Sequence, residues 1–158
     1  MDERIELHVN IGEVKVGRSK EVLKATLGSC VGIAFYWPEK QMAGLAHCLL
    51  PESPLPTTQI GAKYVSQAVP SLMALMKIKQ ENISEILVYI AGGGNMMEQL
   101  ARSNPRHVGI QNSDAAKAIL SKLGFKIKEI EVGGDQGRQI LISSESGKVD
   151  VLKFVKSA

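Results

Sequence analysis

Two apolar runs separated by a proline turn restrict most tightly what this chain can fold into. Val31-Gly-Ile-Ala-Phe-Tyr-Trp37 is β-branched and aromatic, and Gln41 to Leu50 is apolar until Pro51 stops it. Pro38-Glu39-Lys40 lies between them. Runs of this length and composition read as strands, and a short proline turn between two of them reads as a hairpin. The residues before them have the same character. Ile5, Leu7 and Val9 alternate with polar neighbours, and Val14 and Val16 resume the alternation after Gly12.

Helix follows strand. Pro51 to Thr58 contains three prolines and reads as a loop. From about Gln59 to Lys77, Ile60, Tyr64, Val65, Ala68, Leu72, Leu75 and Met76 recur at helical spacing, with Thr57 or Thr58 as N-cap. Pro70 predicts a kink or break within it. Ile86 to Ala91 reads as a buried strand running into Gly92-Gly-Gly-Asn95. Ser113 to Leu123 reads as a second helix closed by Gly124. Phe125 to Val132, Arg138 to Ser143 and Val149 to Val155 complete the chain as strands. Strands outnumber helices and several are joined by hairpin-length turns. The expectation is therefore an α+β fold with a mixed β-sheet, formed by residues 1–158 as one domain.

Charge and composition remove several classes of function. The formal net charge is +3, and no run of five or more basic residues exists. With so few aromatic residues to stack on bases, nucleic-acid binding is not expected. No stretch approaches the roughly 18 consecutive apolar residues of a membrane span. The charged start, Met-Asp-Glu-Arg-Ile-Glu, lacks the apolar region of a secretory signal, so a cytoplasmic protein without membrane insertion is expected. The two cysteines, Cys30 and Cys48, with three dispersed histidines make a poor zinc set. In a reducing compartment they are not expected to form a structural disulfide. No metal or organic cofactor is implied.

A cysteine in such a setting is a candidate nucleophile. Leu27-Gly28-Ser29-Cys30-Val31-Gly32 places Cys30 at the mouth of a strand after a glycine turn, and Ala43 to Leu49 places His47 late in the next strand. If the hairpin loop is Pro38-Glu39, then Trp37 faces Lys40 and Cys30 faces His47, as cross-strand neighbours. Thiol and imidazole would then form a nucleophile–base pair, with the thiol ionising below the usual value near 8.5. Cys48 points to the opposite face and reads as a small buried hydrophobe. Gly32 and Ala34 on the face of Cys30 would leave room for a substrate. The backbone N–H groups of Gly28 and Ser29 could hold an oxyanion. Spacing alone leaves a second reading open, in which Gly28 only makes a turn and His47 is a satisfied core histidine. Gly133 to Gly137 reads as a loop without chemistry, and His8 and His107 read as surface or edge histidines.

These motifs resemble those of the chemoreceptor glutamine deamidase family, CheD, of bacterial and archaeal chemotaxis. The resemblance rests on Leu27 to Gly32 and Ala43 to Pro51. It extends over Ala62-Lys63-Tyr64, Ala91-Gly-Gly-Gly-Asn-Met96, Val108-Gly-Ile-Gln-Asn112 and Gly133-Gly-Asp-Gln-Gly-Arg138. It implies hydrolysis of selected glutamine amides in the cytoplasmic helices of chemoreceptors, with Cys30 as nucleophile and His47 as base. It implies a layered mixed-sheet sandwich flanked by helices, like that of cytotoxic-necrotizing-factor-type hydrolases. It also implies a CheC-type phosphatase as a partner. A non-catalytic interaction protein, binding receptors or that phosphatase, is the alternative. Where family members often carry a threonine that helps set the histidine, this chain has Lys24. Thr26 is the nearby candidate for that third role.

Overall fold

The computed structural model describes residues 3–96 and 107–154. Among them run nine strands, β1 Ile5–His8, β2 Val14–Arg18, β3 Glu21–Leu27, β4 Val31–Trp37, β5 Met42–Cys48, β6 Leu87–Gly92, β7 Ile127–Val132, β8 Arg138–Ser143 and β9 Val149–Lys153. The last was expected to reach Val155, which lies outside the described residues. Among the described residues two α-helices, α1 Val65–Met76 and α2 Val108–Leu123, accompany them. The strands form a five-stranded sheet, in the order β2-β5-β4-β6-β7, and a four-stranded sheet, β1-β3-β8-β9. Both sheets are mixed: β6 with β7 and β1 with β3 are parallel, and the other pairs are antiparallel. The expected α+β class and layered mixed-sheet arrangement are present.

Strand β4 is buried at every position, which explains its unbroken apolar run. One face meets the other sheet, where Ala34 and Tyr36 pack with Leu23, Leu27, Leu45, Ile140 and Ile142. The opposite face carries Val31, Ile33, Phe35 and Trp37 into a core closed by α1 and α2. Each fully buried Leu, Ile or Phe here contributes roughly 1.5–3 kcal/mol. Phe35 and Phe125 meet with ring centroids 4.8 Å apart.

Helix α1 begins later than its periodicity suggested. Tyr64 pairs with Leu50 in a bridge, and the Val65 N–H donates to the Leu50 carbonyl at 2.9 Å, so the backbone of residues 62–64 is bonded to other segments and not wound into the helix. Its cap is Tyr64, not Thr57 or Thr58. Pro70 lies inside the helix without breaking it. The proline is exposed, while Val65, Ala68, Val69, Leu72 and Met76 bury the opposite side, and that packing outweighs one missing hydrogen bond. Helix α2 starts five residues before the expected Ser113, capped by His107, whose Nδ1 accepts from the Ile110 N–H at 3.3 Å. His107 is thus a buried capping residue and not a surface histidine. Gly124 closes α2 at φ 93°, as expected.

Candidate active site

Cys30 stands immediately before β4, and His47 is the last but one residue of β5. The ladder pairs Val31 with Cys48, Gly32 with His47 and Trp37 with Met42. The expected register, with Trp37 facing Lys40, is therefore corrected by two residues. The turn is the cause. Pro38–Lys40 forms a 3-10 turn, and Gln41 adds a left-handed residue at φ 45°, its N–H donating to the Pro38 carbonyl at 3.1 Å. Sheet side chains alternate with a period of two, so a shift of two moves the pairs without changing the face. Cys30 and His47 remain on the face between the sheets, with Cys30 one residue outside the ladder and no hydrogen bond joining its thiol to the imidazole. Cys48 points the other way, into the helix-side core.

The space expected beside the sulfur is filled. A Cβ added to Gly32 would lie 3.1 Å from Leu27 Cδ1 and 3.5 Å from Ile140 Cγ2. Gly32 and Ala34 are small because the second sheet packs on them. Cys30 itself is 6% exposed. Its surroundings are the loops at the end of the sheet. The Cys30 carbonyl accepts from the Gly93 N–H at 2.8 Å, and the Gly28 carbonyl from the Gly94 N–H at 2.9 Å. The Asn95 N–H donates to the Gly134 carbonyl at 2.8 Å, so the Gly133–Gly137 loop, expected to be without chemistry, is part of this wall. Arg138 is buried and ties the two glycine loops together, donating to the Gly92 carbonyl at 3.1 Å and the Gly133 carbonyl at 2.7 Å.

His47 is held by backbone. Its Nδ1 lies 2.9 Å from the Val9 carbonyl, which can only accept, so the proton sits on Nδ1 and Nε2 carries a bare lone pair. Nε2 is buried and has no hydrogen-bond partner among the described residues. The expectation for Thr26 is corrected. Thr26 is exposed, and its hydroxyl accepts from Gln139 Nε2 at 3.5 Å, while the Val9 carbonyl holds the imidazole. Sequence reasoning could not identify Val9, since every residue offers a carbonyl. The segment gains its position from two further bonds: the Val9 N–H donates to the Lys24 carbonyl at 2.8 Å, and the Gly12 N–H donates to the His47 carbonyl at 2.8 Å.

Burial governs the protonation states. It pushes the His47 imidazole below its ordinary value, with the Val9 hydrogen bond and the Glu13 charge opposing. It pushes the Cys30 thiol up, against the pull of the residue's own backbone N–H. The expected lowering of the thiol is therefore reversed: the resting pair is neutral thiol and neutral imidazole. Cys48, wholly buried and beside Cys30, is pushed up much further. A neutral thiol near an imidazole with one bare ring nitrogen is suited to nucleophilic acyl transfer, with proton removal accompanying attack. Among the described residues no group of three potential metal ligands comes together.

Cys30 and His47 thus share one face of a two-sheet α+β scaffold. Residues 49–153 match the family model described as CheD chemotactic sensory transduction. Whole-chain relatives extend the match across Cys30 and His47. A "Probable chemoreceptor glutamine deamidase CheD" of Bdellovibrio bacteriovorus is 39% identical over 98% of this chain and 98% of its own. One of the same name from Methanococcus maripaludis is 36% identical over 93% of this chain and 94% of its own. The chain belongs to the CheD family. A solved structure of the Bacillus licheniformis hypothetical protein YfiH aligns with a TM-score of 0.46 and 18% identity, over 76% of this chain and 49% of that one.

Proposed function

We propose that this chain is a chemoreceptor glutamine deamidase that uses Cys30 and His47. The observation that carries the reading is the placement of both residues on one sheet face, with the Nδ1 proton of His47 held by Val9 and Nε2 left bare. Nε2 takes the thiol proton as Cys30 Sγ bonds to the glutamine δ-carbon. The carbonyls of Gly28 and Cys30 are turned into the Gly93–Gly94 loop, and the amides of the Gly28–Cys30 segment serve the oxyanion. Protonated His47 passes its proton to the amide nitrogen, and the C–N bond breaks to release ammonia. A water that gives a proton to the same imidazole then hydrolyses the thioester to glutamate, and the thiol is restored.

The substrate reading follows from the family and from a cleft at Gly12, one backbone hydrogen bond away from His47. Gly12, whose N–H bonds His47, has its carbonyl bonded by the Ala62 N–H at 2.8 Å, and the cleft beyond is lined by Leu55, Pro56, Ile60, Lys63 and Gln67. Leu55 is 74% exposed and Ile60 52%. Two exposed apolar side chains on an otherwise polar rim, with Ser53, Thr57 and Gln59 beside them, suit the amphipathic surface of a receptor helix from the cytoplasmic part of a chemoreceptor. Such a substrate places the protein in the cytoplasm. Among the described residues no helix is long and apolar enough to cross a membrane. A CheC-type phosphatase is the partner the family suggests. One domain over residues 1–158, with the architecture of cytotoxic-necrotizing-factor-type hydrolases, is part of the same proposal.

The test is mass spectrometry of a receptor fragment incubated with the protein and with Cys30→Ala. Conversion of specific glutamines to glutamate by the first alone is expected. No conversion by either leaves the alternative, an interaction protein with an idle site.

A further inference from the structure

The ladder between β4 and β5 ends at Val31 and Cys48. Beyond it the two segments are pulled apart. The N–H groups of Leu49 and Leu50 both turn to the Lys63 carbonyl, at 3.0 and 2.9 Å, whereas the Cys30 carbonyl turns to Gly93. The backbone therefore diverges where the reactive sulfur and imidazole must meet.

Asn112, on α2, fills this divergence. Its Nδ2 donates to the Ser29 carbonyl at 3.0 Å and to the Leu49 carbonyl at 2.9 Å. One bond is to the residue before Cys30, and the other is to the residue two beyond His47. Both neighbours are carbonyl oxygens, so the amide nitrogen and not its oxygen must face them. The residue is fully buried, and its Oδ1 has no hydrogen-bond partner among the described residues. An acceptor left buried in this way lowers stability, so packing alone favours an apolar side chain at this position. The two donors are what an apolar residue lacks. The entry of α2 is fixed to the same site, because a Cβ on Gly109 would run into the carbonyls of Gly93 and Gly94.

We propose that Asn112 is a positioning residue of the deamidase site, clamping the backbone beside Cys30 to the backbone beside His47 so that sulfur and Nε2 stay within reach. The inference rests on the proposed roles of Cys30 and His47. Asn112 acts through those backbones and touches no substrate.

The experiment measures coupling between Asn112 and His47 at Cys30. Iodoacetamide labelling of Cys30 is followed by peptide mass spectrometry in the unsubstituted protein, His47→Ala, Asn112→Ala and the double variant. Ammonia release from a receptor fragment gives kcat and KM. In the parent background His47→Ala should slow labelling at least about fivefold, and with Asn112→Ala present the same change should have less than about a twofold effect. Asn112→Ala should lower kcat about tenfold or more while KM stays within about twofold. Asn112→Leu refills the volume without restoring a donor, so it should recover stability but not kcat. A folded Asn112 variant that keeps the full His47 effect overturns the clamp. So does recovery of kcat by Leu, or failure of both variants to fold, since either makes Asn112 a core residue only. Cys30→Ala separates the two levels. If it still deamidates, the nucleophile assignment falls; if it is inactive while the folded Asn112 variant keeps the full His47 effect, only the clamp falls.

Discussion

His47 combines a donor bond to a backbone carbonyl with a bare, buried Nε2, and this fixes how its chemistry should depend on pH. Protonation removes the base, and burial holds the imidazole below its ordinary value. The acid limb of kcat/KM is therefore expected below the usual histidine midpoint of about 6.5. A limb at or above that value would contradict the buried neutral base. Folding stability follows the same sign. The histidine contribution is fully present above the unfolded value and is lost as pH falls through the lower folded one. The cysteines should separate as clearly. Cys30→Ala is expected to abolish ammonia release, whereas Cys48→Ala should retain turnover and lose about 1–2 kcal/mol of stability from its cavity. Iodoacetamide should label Cys30 well before Cys48, whose thiol burial holds far above the ordinary range. Equal labelling would place both sulfurs in one environment.

Between elements, the glycine segment at the end of β6 bears most directly on Cys30. Gly92 has φ 103°, and a Cβ there would collide with the Cys30 carbonyl and meet Leu27 Cβ at 3.2 Å. Gly92→Ala is expected to cost about 1–3 kcal/mol from the strained conformation. It should also lower kcat, because the Cys30 carbonyl has to move. A denaturant midpoint and a turnover assay measure the two effects, and an unchanged kcat would separate the loop from the site. The strand periodicities and the face of Cys30 were legible in the sequence because alternation survives an even error in register. The register itself was not, since nothing in Pro38-Glu39-Lys40 announces that Gln41 takes a left-handed conformation. The start of α1 was obscured by backbone bonds from Leu50, and the orienting group of His47 by its being a main-chain carbonyl. Asn112 and Arg138 each ended a motif that carried the family resemblance. Their buried hydrogen bonds depend on loops brought together only by the tertiary fold.

At the scale of the molecule, the facing sheet covers Gly32 and Cys30 is itself buried, so little more than the reacting amide could meet the sulfur. Substrate binding energy must then come from outside the reacting amide, along surfaces such as the cleft bearing Leu55 and Ile60. Free glutamine and short unstructured peptides should have far lower kcat/KM than an intact receptor coiled coil. Comparable values for all three would point to a small-molecule amidase.

The five-stranded sheet also carries its own optical probe. Trp37 is the single tryptophan, and it lies in the helix-side core, on the reverse of the sheet that presents Cys30 between the layers. Indole emission therefore monitors one side of the sheet, while ammonia release monitors the other. Because both sides share β4, a urea titration should show the red shift of emission and the loss of turnover at one midpoint. Turnover that vanished while emission stayed blue would mean that the two sheets separate while the helices remain docked.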